Sequence, residues 1–342
     1  MTTSSGSDRT DHIPALDGWR GMAIILVLLG HFGIDPKLPW FSSLGVDLFF
    51  ALSGRLMADI LFVRQMPLPA FFARRFVRVY PTLFVFVLVS LVVTQGTMLA
   101  FNLKTALLAL TFTLNYAMAY GHDFTTLDHI WSLCVEEHSY ILLAIIAGAC
   151  RAMSPRSAGY VILAVGLAAT ANGAIQLDIL HRSDFAVLWR TDTAMAGIFL
   201  AAGFRILLAG RSIGWIWMVP LSMLCALLAR ALGTEAFFYF GLKSIFLGLA
   251  VAGVEQAWPP IRTLFETKLL QSCGRCSFSI YLWQELFYKL ARQDVMPRFP
   301  FLVMAVVGGI IGYYLTERPL RSRLGALLAR RDALRPGPSP VH

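Results

Sequence analysis

Apolar stretches recur along the whole chain with short polar or charged breaks between them: 16–33, 41–63, 76–95, 129–150, 158–177, 187–209, 213–231, 236–254, 272–290 and 299–316. A helix of roughly twenty apolar residues matches the hydrocarbon thickness of a bilayer. The pattern predicts an all-α, polytopic bundle of about ten transmembrane helices. An eleventh apolar stretch, 104–120, is short, and it carries or adjoins Asn102, Asn115, Tyr116 and several threonines.

Basic residues decide how that stretch is counted. If it does not cross and the N-terminus is cytoplasmic, the cytoplasmic segments hold more than twice as many Lys and Arg residues as the external ones. That is the asymmetry cytoplasmic loops show. If it did cross, the later loops would change side and the bias would weaken. Both termini are therefore expected in the cytoplasm. Segment 104–120 is expected to be a re-entrant or surface helix, covered by protein or facing a watery cavity.

Composition agrees with a lipid solvent. The 342-residue chain is 57% hydrophobic and 14% charged, where a soluble domain carries nearer a quarter charged residues. The net charge of +9 reads as the positive-inside bias of a membrane protein, not as a nucleic-acid surface. Met1 to Asp11 is polar and the first apolar run has no small-residue cleavage site, so no cleaved signal peptide is expected. The expected location is the inner (plasma) membrane, spanned many times. The expected organisation is a polar segment 1–12, a transmembrane domain 13–323 and a basic, Pro-rich cytoplasmic tail 324–342. The five cysteines make no disulfide framework. Cys273-Gly-Arg-Cys276 has redox or zinc spacing but lacks a second ligand pair, so no metal site is expected.

Ionisable groups inside a bilayer are costly, and each is a functional candidate. The first helix carries Arg20 and, eleven residues on, His31. That spacing returns to nearly the same face after a rise of roughly 16 Å. Arg20 would lie at the cytoplasmic surface with His31 above it inside the membrane. His31 is then a buried imidazole held by a carbonyl, or a group that can take a proton near neutral pH. The second span holds Asp47 and Ser53-Gly54-Arg55. The two small residues let a helix or a ligand approach closely, and Arg55 either binds an anion or pairs with Asp59 one turn on. Arg75 and Arg78 share a helix face and can grip phosphate, or they anchor topology. Glu136 and Glu137, about 10 Å into their helix, must be paired or protonated. Either glutamate could orient an imidazole, or pair with Arg55 or Arg190. His129, His138 and His181 are expected near the outer surface.

Together these segments resemble the acyltransferase-3 family of membrane acyltransferases. The likeness runs from about Ile13 to Arg323. It rests on Ile13-Pro-Ala-Leu-Asp17-Gly-Trp-Arg20 with His31, on Gly45-Val-Asp47-Leu-Phe-Phe through Ser53-Gly54, and on Arg75-Phe-Val-Arg78. Trp131-Ser-Leu-Cys-Val-Glu136-Glu137, Ser277-Phe-Ser-Ile-Tyr281-Leu-Trp283 and Glu317-Arg-Pro319 complete it. The resemblance implies transfer of an acyl group, commonly acetyl, from cytoplasmic acyl-CoA to a hydroxyl, commonly on a carbohydrate, with no permanently bound cofactor. By likeness His31 is catalytic and the arginines bind the coenzyme.

The expected roles follow from these readings. Arg20, Ser53, Gly54, Arg75 and Arg78 would hold acyl-CoA. Glu136, with Glu137, would support His31. Asp47, Trp131, Arg190 and Asp192 would meet the acceptor. The chain departs from the family at Arg55, at His138 and Ser139, and at Gln284 and Glu285. A rival class is a transporter or flippase with Arg55, Glu136 and Glu137 as a proton or anion path.

Overall fold

The structure is a computed structural model, and it describes residues 13–33, 40–121, 126–211, 215–232, 241–293 and 298–333. The expected polar segment 1–12, the tail from 334, part of the 121–128 loop and the start of the 236–254 stretch lie outside the described residues.

Among the described residues every element is helical. Helices α1 (Pro14–Phe32) and α2 (Trp40–Ala58) form the first pair, and α2 continues through a π turn at Asp59–Val63. Helix α3 (Leu68–Val93) begins well before its apolar run, so its first turns carry the arginines. Helices α4 (Leu103–Leu110), α5 (Leu114–Ala119), α6 (Ile130–Ala149) and α7 (Pro155–Ala174) follow. The short α8 (Asp184–Leu188) and α9 (Thr191–Ala194) lead into α10 (Ala196–Leu208). Next come α11 (Trp215–Leu232), α12 (Lys243–Ala252), α13 (Pro259–Phe265) and α14 (Lys268–Ala291). Helix α15 (Arg298–Gly312) passes through a π turn at Tyr313–Glu317 into α16 (Arg318–Ala333).

Among the described residues six helical segments are long and apolar enough to cross a membrane. Two further expected spans are helices diluted by charge: α2 carries Asp47 and Arg55, and α14 carries Lys268, Arg275, Glu285 and Lys289; α11 and α12 contain shorter apolar stretches, Trp217–Leu228 and Lys243–Ala252. Large apolar side chains face outward, among them Val92 at 66% exposure and Leu315 at 72%. In water such faces would be unfavourable; against lipid they are not. The chain is thus a multi-pass helical membrane protein.

Segment 104–120 is two helices of 8 and 6 residues, broken at Phe112, whose φ is +56°. Each rises only on the order of 10 Å, too little to span a bilayer. One side of the segment packs on protein, with Ala106, Ala109, Leu114 and Met118 buried, while Leu103, Leu107 and Tyr120 are exposed. Buried Asn115 donates to the Trp189 carbonyl and to Thr191 Oγ1, both at 3.0 Å.

The packing that matters most for the site is α1 between α2 and α14. Gly21 of α1 faces the Leu270 backbone and Gly274 of α14 faces the Asp17 carbonyl, and a Cβ at either would overlap that backbone. The two backbones touch, which brings the far ends of α1 and α14 together. Arg55 is fully buried on the other face of α2. It donates to the Val251 and Ala252 carbonyls at 2.7 and 3.0 Å and to Glu255 at 2.8 Å. It therefore caps the negative end of α12 as well as standing 3.8 Å from Asp59. Asp59 in turn takes Arg205 at 2.6 Å, and Asp47 takes Lys243 at 2.5 Å. These pairs tie α2 to α10 and α12.

Candidate active site

The first helix delivers Arg20 and His31 to two different cavities. Arg20, Arg75 and Arg78 line one of about 90 Å³, with Ser53, Glu136 and Tyr140 on its walls. His31 lines a wider one of about 690 Å³. Val46 of α2 and Tyr281 of α14 belong to both walls, so the cavities are neighbours there. Tyr281 is held at this junction by hydrogen bonds with Ser132 (2.6 Å) and the His129 carbonyl (2.9 Å).

In the narrow cavity the charges are arranged around Arg75. Its Nε donates to Glu137 at 2.8 Å and its Nη2 to Glu136 at 3.3 Å, while the guanidinium lies 4.1 Å over the Tyr140 ring. Glu136 also accepts from Ser53 Oγ at 2.8 Å and from the Tyr140 hydroxyl at 3.2 Å. The two glutamates therefore pair with Arg75, not with Arg55 or Arg190 as the sequence offered. Arg20 stands 3.7 Å from Asp17, one turn before it. Arg78 makes no ion pair among the described residues, and the charges that act on it most are the guanidiniums of Arg20, Arg75 and Arg321. A cavity wall with an unneutralised guanidinium among others attracts a polyanion.

In the wide cavity His31 lies flat on Tyr288, with ring centroids 4.2 Å apart and planes within 9°. Its Nδ1 is 2.8 Å from Gln284 Oε1 and 3.8 Å from Glu285 Oε2. Lys289 Nζ is shared by Asp128 at 2.6 Å and Glu285 at 3.5 Å. Burial, with Glu285 close by, pushes the Asp128 carboxyl in the loop before α6 up to about 7. Trp131 is on this wall, as are Trp40, Trp189 and Tyr288.

Several expectations need correction of place. Glu136 does not reach His31; its oxygens are taken in the other cavity. Gly54 packs on the Ile198 backbone of α10, where a Cβ would overlap the carbonyl, so its smallness serves helix packing. Asp47 faces Lys243 and a small side pocket. Arg190 and Asp192 bind each other at 2.7 and 3.0 Å and lie on neither cavity wall. His129 is buried, not near the surface, with both ring nitrogens lacking a hydrogen-bond partner among the described residues. Arg55 and the Glu136–Glu137 pair have separate partners, so they form no single path of charges. The residues missed beforehand are Gln284, Glu285, Lys289, Asp128 and Tyr288. Glu285 inside an apolar span, with Lys289 one turn on, was the signal that could have found them.

The chain is similar to a peptidoglycan O-acetyltransferase OatA of Listeria monocytogenes, 26% identical over a 317-residue alignment that covers 80% of this chain and 49% of that protein. It is 28% identical over 152 residues to an O-acetyltransferase OatA of Staphylococcus aureus, 40% of this chain and 24% of that one. A putative O-acetyltransferase of Staphylococcus aureus is 22% identical over 91% of this chain and 57% of its own length. The matches thus span between a quarter and just over half of these relatives. No solved structure matches the chain. The profile of the family described as an acyltransferase domain matches residues 13–318, and the chain belongs to this acyltransferase-3 family.

Proposed function

We propose that the protein is an O-acyltransferase that takes an acyl group, in the first instance acetyl, from cytoplasmic acyl-CoA and passes it to a hydroxyl of an envelope or exported glycan. Cell-wall peptidoglycan is the first acceptor to try, since a relative bears that name. The observation that carries the reading is that an arginine-lined cavity and a His31-lined one are neighbours at Tyr281 and Val46. Arg20, Arg75 and Arg78 bind the phosphates of the coenzyme. The pantetheine arm passes Ser53 and Glu136, and the thioester stops at the junction. The rise of roughly 16 Å from Arg20 to His31 suits an extended arm between a phosphate site and a reacting carbon. His31 takes the proton of the acceptor hydroxyl, the oxygen attacks the thioester carbonyl, the carbon–sulfur bond breaks, and the thiolate takes the proton back.

The aromatic walls at Trp40, Trp131 and Trp189 are suited to the apolar faces of sugar rings. Ten crossings of the inner (plasma) membrane, with both termini cytoplasmic, put the arginine face toward the coenzyme supply. Transfer of labelled acetyl from acetyl-CoA to peptidoglycan fragments by the purified protein tests the activity. Mass spectrometry of envelope glycans from cells with and without the protein identifies the acceptor. No acetyl-CoA turnover with any glycan fraction, in protein that binds acetyl-CoA, would overturn the reading.

A further inference from the structure

We propose that Gln284 and Glu285 fix the tautomer of His31 and hold the charge that forms on it. This rests on the reading of His31 as the base. When ionised, the Glu285 carboxylate only accepts hydrogen bonds. Gln284 Nε2 donates to Glu285 Oε2 at 3.0 Å, so the amide has a single consistent orientation, with Oε1 turned to His31. Oε1 lies 2.8 Å from Nδ1 and can accept only from Nδ1–H. The proton is thereby placed on Nδ1, and Nε2 keeps its lone pair. Stacking on Tyr288 fixes the plane of the ring. Sequence reading assigns this orienting task to Glu136, but Ser53, Tyr140 and Arg75 occupy its oxygens.

Charge completes the arrangement. Glu285 Oε2 stands 3.8 Å from Nδ1, and its other oxygen shares Lys289 with Asp128. Glu285 is the carboxyl beside the ring, so when ionised it stabilises an imidazolium at His31. The charged and titratable groups facing His31 are Glu285, Lys289 and Tyr288 from α14 and Asp128 and His129 from the loop before α6. From α15, Arg298 donates to the Gly33 carbonyl just past His31. In the reaction the acceptor O–H bond breaks and an Nε2–H bond forms, while Nδ1–H stays on Gln284. The proton then passes to the sulfur as the carbon–sulfur bond breaks. Gln284 and Glu285 act through His31 and are positioning residues.

The test uses the full chain in lipid nanodiscs with ¹⁵N-labelled histidine, and His31→Ala identifies the His31 signals. The wild-type protein is expected to show a protonated Nδ1 and a bare Nε2. Gln284→Leu should give a mixture of tautomers and a loss of kcat of about tenfold or more, with KM for acetyl-CoA unchanged. An N-acetylglucosamine tetramer serves as the acceptor probe. Glu285→Gln removes a negative charge, lowers the proton affinity of the ring and should move the acid limb of the kcat profile to lower pH; Glu285→Asp should restore part of it. A bare Nδ1 in the wild-type protein overturns the proposal whether or not the variants fold. An unmoved acid limb in well-folded Glu285→Gln does so too. Near-normal turnover in His31→Ala would instead remove the general-base reading, and the tautomer is read without any turnover.

Discussion

The two cavities differ in how their polar groups are supported. In the arginine-lined one the support is local to α2, α3 and α6. Glu136 and Glu137 are adjacent, Arg75 bridges them, and the space is about 90 Å³, narrow enough for a thin chain. In the other, about 690 Å³, the His31 imidazole on α1 depends on α14, 253 residues away in sequence. One cavity presents Arg78, which makes no ion pair among the described residues; the other presents an imidazole held by Gln284 and Tyr288. Under the proposed function, the contrast gives recognition to the first and chemistry to the second.

Replacing the base is expected to have the largest effect. His31→Ala should lose transfer by about a hundredfold or more while acetyl-CoA binding, read by calorimetry on the same purified protein, is retained. Equal loss of binding would merge the two cavities into one function. Next in size is Arg78→Ala. Loss of a charge-assisted phosphate contact should weaken acetyl-CoA binding by about 1.5–3 kcal/mol, with lysine a partial rescue because it lacks the planar fork. Unchanged affinity in folded protein would leave Arg78 as a topology anchor. A smaller effect is expected from Glu136→Gln, which keeps shape and loses charge. It should alter KM for acetyl-CoA and leave the acid limb of the kcat profile in place; a shifted limb would restore Glu136 as the partner of His31. The smallest is Arg190→Ala. That pair is off both walls, so turnover should change by no more than a few-fold, and loss of acceptor use would extend the wide cavity beyond the described walls.

Sequence reading reached the first cavity further than the second, for physical reasons. The apolar periodicity needed for lipid gives the helices, and the expense of charge in a bilayer marks Arg20, His31, Arg75, Arg78 and Glu136. Which charges meet depends on tertiary packing. Glu136 was free to meet Arg55, Arg190 or His31 on sequence alone, and it meets Arg75. The approach of α1 and α14 rests on Gly21 and Gly274 facing each other's backbone, a contact without a local signal. Gln284 and Glu285 stood out only as unusual residues after Tyr281-Leu-Trp283. Gly54 illustrates the same limit: its small size allowed a helix or a ligand beside it, and its neighbour is Ile198 of α10.

The most direct test is a density map of His31→Ala protein with acetyl-CoA bound. The expected result has the phosphates against Arg20 and Arg78, the pantetheine past Ser53, and the acetyl carbon at the Tyr281–Val46 junction, open to position 31. Coenzyme bound with its phosphates in the wide cavity, or with its thioester remote from position 31, would contradict it.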